Sequence, residues 1–191
     1  VPILADTQAA LENGRTISEE FLYEGYTVHL YEAPPADEQT VIFGDRFELL
    51  PGPLDLTVYQ PGDTVVTKTW WRVLEPVKED YSYSLILRRA DGAAISQVDD
   101  SLRVGGMPTP LGLDVKLGGD VRSTSQWSPD DPYQLATPNI VLPVDLLPGD
   151  YEAWIGVYFY QNPQRLLVSS GKAGLVDEEA RLGKVAAFSV E

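Results

Sequence analysis

The sequence predicts an all-β protein: an antiparallel two-sheet β-sandwich, immunoglobulin-like or jelly-roll-like, with an N-terminal extension. Three observations predict it. Apolar and polar residues alternate with period two over short runs, as in strands with one wet face. Clusters of Gly, Pro and Asp separate these runs at short intervals, which is turn chemistry. Long stretches of helical periodicity are missing. Residues 1–40 read as the extension and 41–191 as the sandwich, a core-forming unit of ordinary domain size.

The extension opens small and polar. Ala5 to Leu11 reads as a short helix ended by Asn13-Gly14, and Thr16 or Ser18 before Glu19-Glu20 as a second, weaker helix start. FLYEGYTVHLYE is aromatic and β-branched, which predicts one strand broken near Gly25. APPADEQT then links it to the sandwich.

Within the sandwich, Leu54, Leu56 and Val58 point one way and Asp55 and Thr57 the other. In Asp63–Val73 the set Val65, Thr67, Thr69, Trp71 and Val73 faces the core, which buries Trp71 and exposes Trp70 between Lys68 and Arg72. In Tyr81–Leu87 the inward set is Tyr81, Tyr83, Leu85 and Leu87, against Ser82, Ser84 and Ile86. Asp91-Gly92 marks a hairpin tip. Residues 101–120 are glycine-rich and break the rhythm as a long loop. In Tyr151–Phe159 the set Tyr151, Ala153, Ile155, Val157 and Phe159 opposes Glu152, Trp154, Gly156 and Tyr158. Ser169–Gly183 is irregular, and LGKVAAFSV is the last strand.

Composition excludes several kinds of chemistry. With 14 basic and 29 acidic residues the net charge is −15, which repels phosphate backbones and argues against nucleic-acid binding. There is no cysteine, so no thiolate metal site, disulfide or cysteine nucleophile. His29 is the one histidine, and no G-x-S-x-G elbow accompanies it. No apolar run approaches a membrane span, and VPIL is too short for the apolar core of a signal peptide.

Three stretches carry a family resemblance: FGDRFELL at 43–50, PGDTVVTKTWWRVLEPVKEDYSYSLILRRADG at 61–92, and STSQWSPDDPYQLATPNIVLPVDLLPGDYEAWIGVY at 123–158. In order and spacing they resemble an accessory β-sandwich domain of Chloroflexota-type membrane proteins related to dolichyl-phosphate-mannose mannosyltransferase-like glycosyltransferases. LGKVAAFSV resembles the last strand of that domain. The resemblance implies a non-catalytic, extracytoplasmic module held near a membrane through a parent or partner protein. About twenty residues stand where that family has a short loop after the DG hairpin. No catalytic residue carries over, because the family's lie in its membrane-embedded part.

The carboxylates allow a glycosidase pair by number, but Asp99-Asp100, Asp130-Asp131 and Asp145 read as turn residues. Asp99-Asp100 and Ser128–Asp131 offer oxygen atoms of the kind a structural Ca2+ takes, without EF-hand spacing; the expectation is no cofactor. Aromatic side chains are the sharpest feature. Trp70, Trp154, Tyr158 and Tyr160 are predicted on outward faces, where they are covered by the N-terminal segment or a long loop, anchor a protein partner, or stack on a sugar. Trp127 is read as a plug at one end of the sandwich. The functional expectation is a non-catalytic extracytoplasmic structural or interaction module, an accessory domain or subunit of a bacterial membrane-associated assembly. The alternative is a carbohydrate-binding module built on those four aromatics.

Overall fold

Alternating residues bury one face only when strands pair into a sheet and a second sheet covers it. The computed structural model, which describes residues 16–23, 26–35, 39–104, 121–170 and 172–191, folds in this way. In chain order the strands are β1 (Thr16–Tyr23), β2 (Tyr26–Glu32), β3 (Val41–Phe43), β4 (Phe47–Pro51), β5 (Val58–Tyr59), β6 (Thr64–Val66), β7 (Thr69–Val73), β8 (Tyr81–Arg89), β9 (Ala94–Ser101) and β10 (Arg103–Val104). They continue with β11 (Arg122–Ser123), β12 (Gln134–Ala136), β13 (Asn139–Val141), β14 (Gly149–Phe159), β15 (Asn162–Arg165), β16 (Val168–Ser170), β17 (Val176–Asp177) and β18 (Leu182–Val190). A single 3-10 turn at Thr124–Gln126 is the only helical element among the described residues.

A five-stranded antiparallel sheet has the order β12-β7-β4-β3-β16. Facing it, a seven-stranded sheet runs β17-β18-β14-β8-β9, with β15 on β14 and β5 parallel to the end of β18. The inward faces make one apolar core. It includes Val41, Phe43, Phe47, Leu49, Trp71 and Val73 from the first sheet, and Tyr81, Leu85, Leu87, Tyr151, Ala153, Ile155 and Val157 from the second. Phe47 and Tyr81 meet edge to face across the interior, their ring centres 4.9 Å apart. Trp127 is buried with an edge toward Phe47, and its Nε1 donates to the Arg122 carbonyl.

The inward sets of β8 and β14 lie as the alternation predicts, with Phe159 only half-buried at the strand end. The Asp91-Gly92 tip joins β8 to β9, with Gly92 at φ 86°. LGKVAAFSV is β18.

Several expectations are corrected. The extension holds two strands, not one: β1 and β2 pair antiparallel from Thr16 opposite Glu32 to Tyr23 opposite Tyr26, and the Gly25 position of the expected break lies outside the described residues. Thr16 and Ser18 lie in β1 and start no helix, because cross-strand pairing of a β-branched and aromatic run outweighs the weak N-cap signal. The run Asp63–Val73 is two strands, β6 and β7, which pair in different sheets. Its inward set is nonetheless buried throughout. Leu54–Val58 is not a strand facing the core. Leu56 and Val58 are exposed and Tyr59 is the buried residue, because pairing with β7 ends at Pro51 and Gly52 and resumes only where β5 docks on β18. Asp99 and Asp100 lie inside β9, not in a turn, since the hairpin after Gly92 pairs as far as Ser101. The helix expected over Ala5–Leu11 and residues 105–120 of the expected loop lie outside the described residues.

Candidate ligand-binding face

Trp70 lies beside Leu50 of β4 and Leu135 of β12 on the outer face of the five-stranded sheet. It is 1% exposed: the outward placement holds, while the ring expected to be exposed to a ligand is corrected to one covered within the chain, the first of the three alternatives. The extension returns to this face: β1 runs against β12, and Glu32 at the end of β2 pairs with Lys68 at 3.4 Å. A face lined by Leu, Trp and Leu has to be covered, and the chain does so itself.

Trp154 is on the outer face of the seven-stranded sheet and is also buried, packed with Ile86, Leu182 and Ala180. The Arg88 guanidinium stands 5.4 Å and the Lys184 ammonium 5.6 Å from its ring centre. Its Nε1 donates to Glu152 at 2.9 Å, while Lys184 pairs with Glu152 and Arg88 with Asp177. The ring is therefore held by cations, not offered as a platform. That corrects its assignment as an exposed ring for a ligand to stack on.

Tyr158 and Tyr160 remain open. Tyr158 is half-buried, and Tyr160, at the β14–β15 turn, is 62% exposed with Gln161 donating to its hydroxyl. Around Tyr158 the register assembles a polar group the sequence reading did not bring together. Gly156, Ser84 and Asp99 stand side by side across β14, β8 and β9, and Tyr158 lies opposite both Ser82 and Arg165. Asp99 Oδ1 accepts from the Ser84 hydroxyl at 2.5 Å and the Tyr158 hydroxyl at 3.3 Å. Its Oδ2 accepts from Gln97 Nε2 at 2.8 Å. Burial pushes the Asp99 carboxyl up, but hydrogen bonds from Ser84, Gln97 and Tyr158, aided by the Arg165 charge, hold it below the ordinary carboxylate range. The Tyr158 phenol is raised by burial and by the Asp99 charge.

Gly156 provides the floor. A Cβ there would stand 2.6 Å from Arg165 Cδ and 2.8 Å from Leu182 Cδ2, so the Arg165 stem lies directly across bare backbone. The resulting surface offers a fixed carboxylate, an amide, hydroxyls, a guanidinium and the Tyr158 ring, while the Tyr160 ring packs on Phe159 at the turn. These groups bind hydroxyl-bearing ligands by paired donors and acceptors, with a ring for the apolar C–H faces. A signal for Asp99 was present: counting residues from the Asp91-Gly92 tip brings it near Ser84, although the bulge at Leu87/Arg88 shifts the pairing by one.

Of the side chains considered for calcium, Asp99, Asp100, Ser128 and Asp131 have protein partners for their oxygen atoms. Asp131 Oδ2 accepts from Arg122 and from the Ser128 backbone N–H, each at 3.0 Å. Among the described residues, no three of His, Cys, Asp and Glu converge as a metal site would need. None of the described helices is long and apolar enough to cross a membrane.

No protein-family model matches the sequence, and no curated protein matches it. A solved structure that does match is the crystal structure of the C-terminal domain of wzt. It is 12% identical, with 84% of this chain and 82% of that chain covered and a TM-score of 0.37. A likeness that loose carries no function across. None of these comparisons supports the glycosyltransferase side of the family resemblance.

Proposed function

We propose that the chain is a non-catalytic recognition module that binds a saccharide on the outer face of the seven-stranded sheet, beside Tyr158 and Tyr160. The observation that carries this reading is the group of Ser84, Gln97 and Asp99, fixed by mutual hydrogen bonds, with Arg165 laid across the Gly156 floor and the Tyr158 ring at its edge. Preorganised polar side chains beside an aromatic ring cost little to order when ligand binds. The non-catalytic part rests on chemistry. Asp99 and Asp177 are held ionised, the reverse of what a general acid needs. The chain also has one histidine and no cysteine. An extracytoplasmic place, next to a membrane-bound parent or partner, follows from the family resemblance and is part of the proposal.

A second reading, docking onto a protein partner, is favoured by Val141, Val144 and Leu147, which are 60%, 84% and 64% exposed. Calorimetric titration against a panel of oligosaccharides decides between them. A saccharide should bind, and Tyr158→Ala should weaken it by about threefold to tenfold, the worth of one aromatic contact. Titrations flat across the panel would end the glycan reading and leave the partner surface.

A further inference from the structure

We propose that the saccharide taken by this face is an acidic one, with its carboxylate seated on Arg165 and Arg181. This rests on the glycan reading above and adds the charge of the ligand. Cations are scarce in a chain of net charge −15. Most of the described ones are committed: Arg46, Lys68, Arg72, Arg88, Arg103, Arg122 and Lys184 each stand within 4.0 Å of a carboxylate. Among the described residues five have no such partner. Lys78, Arg89 and Lys172 are exposed, so water screens them. Arg165 and Arg181 are half-buried, where an unpaired charge is less well solvated.

The two arginines are also interlocked. Arg181 Nη1 donates to the Arg165 carbonyl at 2.7 Å, and Arg165 Nη1 reaches the Ala180 carbonyl at 3.4 Å. Each thus anchors one end of its guanidinium on the backbone of the other's segment and keeps further N–H donors for something else. Arg181 has φ 56°, a left-handed backbone that favours Gly or Asn over a long cationic side chain. Arg165 is placed by the missing side chain of Gly156. Both features cost conformational freedom or strain; they leave the Arg165 guanidinium near Tyr158 and the Arg181 guanidinium against the Arg165 backbone. A guanidinium fork matches a carboxylate with two parallel hydrogen bonds. Asp99, and Glu178 and Glu179 in the turn before Arg181, make the surroundings unfavourable for a densely charged polyanion. A single carboxylate on an otherwise neutral, hydroxylated ring fits the set, with its hydroxyl groups toward Asp99, Ser84 and Gln97.

The test is a glycan array of uronate- and sialate-type oligosaccharides, each printed beside its neutral counterpart or methyl ester, followed by titration of the strongest pair. The acidic member should bind about tenfold or more tightly than its neutral twin. The preference should shrink as salt is raised. Arg165→Gln and Arg181→Gln should each reduce the preference while leaving the melting temperature within a few degrees of the parent protein. Equal binding of acid and neutral twin would overturn the acidic ligand and leave the glycan reading standing. Absence of binding to every saccharide on the array would overturn both. A preference unchanged in the two variants would place the carboxylate elsewhere.

Discussion

Arg88 shows how one residue ties the outer face to the acid stability of the fold. Its guanidinium stacks over Trp154 and donates through Nη1 to Asp177 Oδ2 at 2.7 Å. The hydrogen bond from Arg88, then the Ala180 backbone N–H, hold the Asp177 carboxyl below its ordinary value of 3.8. A carboxyl depressed in the folded state binds fewer protons there than in the unfolded chain. Its stabilising effect is thus complete well above pH 3.8 and fades as the pH falls through and below that value. Asp99 has the same sign, held down against burial by Ser84, Gln97 and Tyr158. Asp177→Asn is expected to lower stability at pH 6 and to narrow the gap to the parent protein at pH 3. Urea unfolding at the two pH values measures this. A gap as wide at pH 3 as at pH 6 would show that the ionised carboxylate of Asp177 contributes nothing.

At the scale of the element, β7 has two tryptophans on opposite faces and both are buried. Trp71 is 0% exposed in the core, with its Nε1 donating to the Thr69 hydroxyl at 2.9 Å. Trp71→Ala would leave a large cavity there, at a cost of about 3–5 kcal/mol. Guanidinium unfolding is the measurement, and a change below about 1 kcal/mol would contradict the core assignment. The register of β7 was legible because period-two alternation reports which side of a strand faces apolar neighbours. The cover on Trp70 was one of three alternatives left open, since a local pattern shows that a ring faces outward but not what lies against it. The same limit hid the site. Tyr158 was singled out because a ring on an outward position is conspicuous by itself. Ser84, Gln97 and Arg165 are ordinary residues alone, and gain meaning only when β8, β9 and β15 come together around β14. Leu54–Val58 misled for a related reason. Its alternation is genuine, but the run stands outside any strand ladder until Val58, and only Leu54 packs in part against the core.

For the molecule as a whole, two sheets must approach closely enough to exclude water, and glycines mark where backbone itself makes the contact. Gly183 of β18 and Gly156 of β14 lie in neighbouring strands of one sheet and look in opposite directions. A Cβ on Gly183 would stand 2.7 Å from Val41 Cγ1 and 3.1 Å from Phe43 Cζ, both in the facing sheet. Val41 and Phe43 are 0% exposed, and a β-branched side chain in a strand has little freedom to turn aside. Gly183→Ala therefore has to push the sheets apart locally, an overpacking cost of about 1–3 kcal/mol. On the opposite side, Gly156→Ala meets Arg165 Cδ, part of a flexible side chain that can swing toward water, although Leu182 Cδ2 at 2.8 Å must also give. The expected order is that Gly183→Ala destabilises more, while Gly156→Ala chiefly displaces Arg165 and so weakens binding of the acidic saccharide. Parallel urea titrations of the two variants, with ligand titration of the second, separate packing from recognition. If Gly156→Ala were the more destabilising, or bound ligand as the parent protein does, the division of this sheet into an inner packing face and an outer binding face would be wrong.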